Sequence, residues 1–560
     1  MLNWHRLGST AYANQRYDTL VLLEGVVKTP YLDTASPPAP TIGIGFNLEY
    51  HLGTVLRAIV GNAHWSQTLE NRLQAVIDAG FSSGQNTLLQ DRLNAVMREW
   101  HNTRDSDVPT TFAFATTAQI KAALATVSTE YEDIVTAKLG DIPDSEERVA
   151  LFTLAYNSPA LIGPKLTAAI QNGNRAEAWY EIRYNSNGSE SLGIANRRYV
   201  EADTFDLFDD DSPSKAEAMK IGRMYADHRD DILSYEASFD PVSAGVTKGV
   251  AGIASILDEY APAVAKLEAV FDIGPAFSFE ELQVASSGNR RLTGDGTAHD
   301  DSGNNQDLLI GSVHANRLSG NGGNDGLIGL GGNDALFGGG GSDWLDGGAG
   351  NDTLSGGGGN DRYVYSGGND KLVERPGSGN DFLIMRDAGT LRAANIEHLA
   401  IDDALGGLAR VFGNDIRTID LSSGNDRVTL VINNVKARAS DVTIDTSGGK
   451  DRIAIVDRTD WSDWSDNGDP AKTFTFEHFN GNDRIDLRSF DIDKVVTGTE
   501  GTTLSTGLVL MAPDAVLKKG GSVLIENTTG DWVIASIDHA ADDTFGPAFS
   551  GNITEDSFLI

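Results

Sequence analysis

The sequence predicts a multidomain α+β protein: a mainly helical N-terminal domain, then a parallel β-roll, then a β-rich C-terminal region. Three observations carry that reading. Glycine and aspartate recur every nine residues from Ser302 to Val373. Upstream, apolar residues fall at helical spacing between glycine and asparagine stops, and downstream short β-branched runs such as Val428-Thr429-Leu430-Val431-Ile432 follow one another. A chain of 560 residues also exceeds what one core holds. The boundaries read as 1–240 for the helical domain, 241–285 for a helical linker, 286–384 for the roll and 385–560 for a β-rich cap.

In the helical domain, Tyr17, Leu20 and Leu23 share one helical face that stops at Glu24-Gly25, glycine being a common helix terminator. Tyr31-Leu32-Asp33-Thr34 and Thr41-Ile42-Gly43-Ile44-Gly45 flank the turn-forming Ser36-Pro37-Pro38-Ala39-Pro40, as in a hairpin. A carboxyl at a helix end and a second nine residues later on a strand can face each other across a cleft. That is the arrangement acid–base glycoside hydrolysis requires. Alone, a glutamate before glycine is usually a helix-end surface residue and Asp-Thr a turn; the ordered combination is more specific.

That combination resembles the phage-type lysozymes, the muramidases of glycoside hydrolase family 24, whose pattern runs E-G, D-T, T-I-G-[IY]-G. The resemblance implies that Glu24 is the general acid, that Asp33 helps activate the attacking water, and that Thr41 helps place it. The Asp33-to-Thr41 loop is about two residues longer than the family's. Downstream, Glu147 to Asn157 resembles the family's core helix, and Lys165 to Trp179, with a turn at Asn172-Gly173-Asn174, its next helices. Arg197 then corresponds to the arginine that pairs with the catalytic glutamate. A general acid has to carry a proton, so the surroundings of Glu24 must offset the charge of Arg197. Residues 51–114 do not match and read as a helical insertion. Leu69, Leu73, Val76, Ile77, Leu93, Val96 and Trp100 sit there at helical spacing, as in an extra lobe with its own small core.

In the roll, Gly347-Gly348-Ala349-Gly350-Asn351-Asp352-Thr353-Leu354-Ser355 fits G-G-x-G-x-D-x-U-x at every position. With one block per face, Asp307, Asp325, Asp343 and Asp361 stack in one column, and Asn316, Asp334, Asp352 and Asp370 in the other. Such columns repel themselves unless a hard cation lies between them, and calcium suits an all-oxygen shell. A flexible linker has no reason to keep an apolar residue in phase throughout. The array resembles the repeats-in-toxin (RTX) β-roll. The resemblance implies several structural Ca2+ ions, type I secretion, and folding on meeting extracellular calcium. Asp542-Asp543-Thr544-Phe545 and the terminal Asp556-Ser557-Phe558-Leu559-Ile560 resemble the C-terminal signal of such substrates.

Composition agrees with export. A formal net charge of −36 argues against nucleic acid as a partner. The absence of cysteine suits a chain that crosses an envelope unfolded. No apolar run is long enough for a transmembrane segment, and no N-terminal signal peptide is visible. Val246, Val250, Ile253 and Leu257 predict an amphipathic connecting helix. The expected function is a secreted antibacterial peptidoglycan hydrolase cleaving the MurNAc–GlcNAc β-1,4 bond. Its expected partners are peptidoglycan and the type I secretion machinery, and the reading leaves room for an immunity protein. The alternatives are a non-catalytic, calcium-dependent glycan-binding surface or matrix protein, and a hydrolase of a chitin-like or matrix polysaccharide.

Overall fold

The computed structural model describes residues 2–239 except 187–190 and 211, residues 254–286 except 275, 276, 278 and 280, and residues 291–294. It then describes 306–457 except 403–407, 413–414, 422, 433–441 and 447–449, and beyond 457 only the backbones of several strands. The chain divides into two compact units, residues 1–224 with 228–263, and 264–560 with 225–227.

The first unit is helical around one small antiparallel sheet. The helix Ser9–Glu24 ends at Gly25, whose φ of +71° turns the chain out of the helix. Strand Val27–Leu32 then pairs antiparallel with Pro40–Gly43, Tyr31 opposite Thr41, so the expected hairpin is present. Helix Glu146–Asn157 starts at a Ser145 side-chain cap and is buried along most of its length. Helices Pro164–Gln171, Arg175–Arg183 and Leu192–Phe205 follow.

The insertion is helical, over Gln67–Asp78 and Asn86–Thr103, but it does not build a core of its own. Leu69, Leu73, Leu89, Leu93 and Met97 join Leu20, Ile42, Phe46 and Phe152 in one cluster. The lobe therefore braces the back of the hairpin. Arg175 joins segments of the unit that are far apart in sequence. It donates to Glu147 Oε1 at 2.6 Å, to Asp209 Oδ1 at 2.6 Å and to the Phe205 carbonyl at 2.8 Å. Of the predicted connecting helix, Val246, Val250 and Ile253 lie outside the described residues. Ile256–Glu259 is helical, and Arg183 ties it to the first unit through Glu259 and the Ala254 carbonyl.

Through the repeats the second unit alternates, strand by strand, between two sheets whose neighbouring strands are parallel. Strands Asp307–Ser312, Gly326–Leu330, Trp344–Asp346 and Arg362–Tyr365 follow one another in one sheet. Arg317–Gly322, Ala335–Gly340, Thr353–Gly358 and Lys371–Leu372 do so in the other. The register is eighteen residues per coil, Leu309 opposite Leu327 and Leu318 opposite Leu336. One leucine or tyrosine per strand points inward, and these side chains form a single apolar stack.

The coil begins before the repeats and continues after them. Glu281–Val284 already pairs with Asp307–Ser312. Beyond residue 384, Phe382–Met385, His398–Ile401, Thr418–Asp420 and Val442–Asp445 extend the same sheet in parallel register. Leu383, Leu399, Ile419 and Ile444 extend the same apolar stack. Up to residue 457, then, the β-rich region carries the solenoid on. The segments expected to carry an export signal, 542–545 and 556–560, lie outside the described residues, apart from the backbones of Phe545–Gly551 and Phe558–Leu559.

Candidate functional site

Each unit holds one candidate site. In the first, Glu24 sits on the last turn of its helix and receives Arg197 Nη1 at 2.5 Å. Arg197 is buried and donates onward, from Nε to Glu201 Oε1 at 3.2 Å and from Nη2 to the Thr153 carbonyl at 3.2 Å. Glu201 also takes a bond from Arg198, whose other nitrogen reaches Asn157 Oδ1 at 2.6 Å. The arginine thus lies between two carboxylates, held from below by a helix carbonyl. Burial pushes the Glu201 carboxyl up, and the two arginines oppose that shift.

The other carboxylate oxygen of Glu24 faces Gly45. A Cβ built on Gly45 would stand 3.6 Å from Glu24 Oε2 and 3.7 Å from the Tyr156 ring. The backbone there has φ of +94°, which glycine tolerates and other residues rarely adopt. Tyr156 is itself held by a bond to the Ile44 carbonyl at 3.0 Å. Its hydroxyl is pushed well up, by burial first and then by the charge of Glu24.

Asp33 follows the first hairpin strand. Its Oδ1 accepts from the amides of Ala35 at 3.1 Å and Ala39 at 2.8 Å, which fixes the carboxylate in the loop. The hydroxyl of Thr41, almost wholly buried, donates to the Ala39 carbonyl at 3.1 Å. Burial raises the Tyr31 hydroxyl, and the charges of Glu24 and Asp33 both add to the shift. Geometry joins the four residues in two pairs, Glu24 with Arg197 directly, and Asp33 with Thr41 through Ala39, whose amide donates to Asp33 and whose carbonyl accepts from Thr41. Sequence reading missed Glu201, Tyr31 and Tyr156. Glu201 could have been found four residues after Arg197 on the same helix face.

In the second unit the aspartates form the two expected columns. The backbone amide of each donates to the carboxylate one coil further on. Asp307 reaches Asp325, Asp325 reaches Asp343 and Asp343 reaches Asp361 at 2.8–2.9 Å. On the other face Asn316 reaches Asp334, Asp334 reaches Asp352 and Asp352 reaches Asp370 at 2.6–2.9 Å. Oδ1 is thereby used. Oδ2 of Asp334, Asp343, Asp352, Asp361 and Asp370 is buried with no hydrogen-bond partner among the described residues.

A buried oxygen with no donor is costly unless a cation meets it. The space around these atoms fits one. A Cβ on Gly338 would lie 2.1 Å from Asp343 Oδ2 and 2.7 Å from the Gly356 carbonyl. Gly320 stands in the same relation to Asp325 and Gly338, and Gly329 to Asp334 and Gly347. Carboxylate and carbonyl oxygens converge on each glycine, an all-oxygen donor set suited to calcium. Asp307, Asp325, Asp343 and Asp361 would hold ions on one face, and Asp334, Asp352 and Asp370 on the other. Without metal, burial pushes Asp334, Asp343 and Asp370 up to about 7, Asp352 to about 6 and Asp361 to about 8. Burial is the largest cause in every one of them; repulsion within a column, the reason expected from the sequence, adds a lesser push at Asp334, Asp361 and Asp370.

Residues 301–336, 310–345 and 337–372 match the family model of the RTX calcium-binding nonapeptide repeat. These repeats bind Ca2+ as a structural ion and mark proteins secreted to the exterior by the type I route. The match covers the array and not the helical unit. No curated protein matches the chain. No helix among the described residues is long and apolar enough to cross a membrane.

Proposed function

We propose that the helical unit is a peptidoglycan hydrolase, which makes the chain a secreted, calcium-folded antibacterial muramidase. The observation that supports this best is the pairing of Glu24 with Arg197, 173 residues away, beside the hairpin that carries Asp33 and Thr41. In this reading Glu24 Oε2, the oxygen turned away from Arg197 and toward Gly45, protonates the glycosidic oxygen between MurNAc and GlcNAc. Water attacks the anomeric carbon from the opposite face of the sugar. Asp33 takes its proton through Oδ2, since Oδ1 is already occupied by two amides. The Thr41 hydroxyl has given its proton to a carbonyl, so its lone pairs are left to accept from that water. Arg197 supports the carboxylate that Glu24 becomes.

The test is a peptidoglycan zymogram and a turbidity assay in calcium, comparing the wild type with Glu24→Gln. Glutamine keeps the shape of the site and cannot donate the proton, so clearing should fall by about 10²-fold or more. Equal clearing by both proteins would remove the assignment. Retention on peptidoglycan without loss of turbidity in either protein would favour the glycan-binding reading instead. Mass spectrometry of released sugars separates muropeptides from chitin-like products.

A further inference from the structure

The nine-residue beat breaks just after the matched repeats, and the break places three carboxylates together. In the regular coils the glycine carbonyl that faces each aspartate comes from eighteen residues after the preceding glycine. Gly338 follows Gly320 and Gly356 follows Gly338 at that spacing, but the residue eighteen after Gly356 is Glu374. The coil is then stretched, so that Asp361 donates its amide to Asp381, twenty residues on, at 2.8 Å. A carboxylate oxygen of each of Asp361, Glu374 and Asp381 lies within 4.8 Å of those of the other two.

Asp361 and Asp381 are buried, and Asp361 Oδ2 has no hydrogen-bond partner among the described residues. That oxygen lies over Gly356, where a Cβ would meet it at 2.1 Å and the Tyr363 hydroxyl at 2.5 Å. Tyr363 stands where leucine occupies the other coils. Its hydroxyl accepts from the Gly356 amide at 2.6 Å and donates to Glu374 Oε2. Glu374 Oε1 accepts from the Arg375 amide at 2.6 Å and from Ser378 Oγ at 2.5 Å. The glutamate is therefore held in place by three donors while its charge remains directed at the cluster.

We propose that Asp361, Glu374 and Asp381 form the last hard-cation site of the column that begins at Asp307, built to take Ca2+ with a ligand set the preceding sites lack. It differs from the array sites in supplying a glutamate carboxylate where they supply a glycine carbonyl, and in using a tyrosine to position it. The extra full charge makes it the tightest site of the roll, because charge count sets affinity for calcium among oxygen ligands. It is filled first as calcium rises, and it stands independently of the hydrolase reading.

The test is a calcium titration of the full-length, metal-stripped chain by calorimetry, with native mass spectrometry to count ions. Glu374→Gln should weaken the tightest ion by about tenfold or more and leave the remaining ions at wild-type affinity. Tyr363→Phe, which removes one hydroxyl and keeps the apolar stack, should weaken the same ion by a smaller factor. Asp370→Asn, in the opposite column, should leave that tightest ion unchanged. If Glu374→Gln does not fold, the Tyr363→Phe and Asp370→Asn pair carries the same comparison. Wild-type affinity and ion count in the variants would overturn the site. So would a uniform weakening of all ions, which is what a purely structural role predicts.

Discussion

Replacing Asp343 by asparagine should change the stability of the roll in opposite directions with and without calcium. Asp343 is fully buried, and burial pushes its carboxyl from 3.8 up to about 7. A carboxyl whose folded value lies above its unfolded value favours folding while it is protonated. The contribution is complete below about pH 4 and is lost as the pH rises through about 7. The gap between the two values corresponds to on the order of 4 kcal/mol of lost stability once the group is charged. Set against a domain stability of about 5–15 kcal/mol, one such group is a large fraction and several together exceed it. A metal-free roll should therefore be more stable in mild acid than above neutrality.

Asparagine imitates the protonated acid, and the chain already uses it at Asn316 in the opposite column, where its Oδ1 accepts from the Ser312 amide at 2.8 Å. At pH about 8 without metal, Asp343→Asn should gain about 2–4 kcal/mol, which is about 2–4 °C in Tm for each kcal/mol in a unit of this size. In saturating calcium the same change removes a ligand and should lower Tm. The assay is thermal unfolding of the full chain by far-UV circular dichroism, metal-stripped and calcium-loaded, at several pH values. The wild-type metal-free roll should lose stability steadily from about pH 4 to 8. A variant that moves in the same direction in both states would refute the reasoning, as would wild-type metal-free stability that rises with pH.

Two further changes test the scaffold. Gly350→Ala puts a Cβ 1.5 Å from the Gly332 carbonyl at a φ of +156°, so the repeats should fail to close; retention of the calcium-dependent dichroism would refute that packing. Arg175→Met leaves Glu147 and Asp209 without their shared cation and should cost the first unit about 3–5 kcal/mol in a urea melt, since a single partner of a buried pair is removed.

The roll was legible because its period is written into the chain. An apolar residue every nine positions fixes both the strand and the face it buries. Its continuation past 384 was not, because pairing needs only a short apolar strand, and the spacing that revealed it drifts. His398 pairs with Thr418, twenty residues on, and Thr418 with Thr443, twenty-five on. In the helical unit, periodicity showed which faces of the insertion are apolar. It could not show that Leu69 and Leu93 would share one core with Ile42 and Phe46. Glu24 and Arg197 were found through ordered motifs, since nothing in local pattern links residues so far apart. Glu201 was overlooked because a buried carboxylate looks like a surface one until its neighbours are placed.

The amide ladder of the roll gives damage a direction. From Asp307 to Asp361 in its column, each aspartate leans on the coil that follows it: Asp325 on Asp343, and Asp343 on Asp361. Truncating the side chain at one coil strands the amide of the coil before it and leaves the coil after it fully bonded. A lesion at Asp343 should therefore fray the stack toward residue 307 while the part toward residue 381 stays closed. Protease nicking sites, mapped along such a variant, would all fall on its N-terminal side.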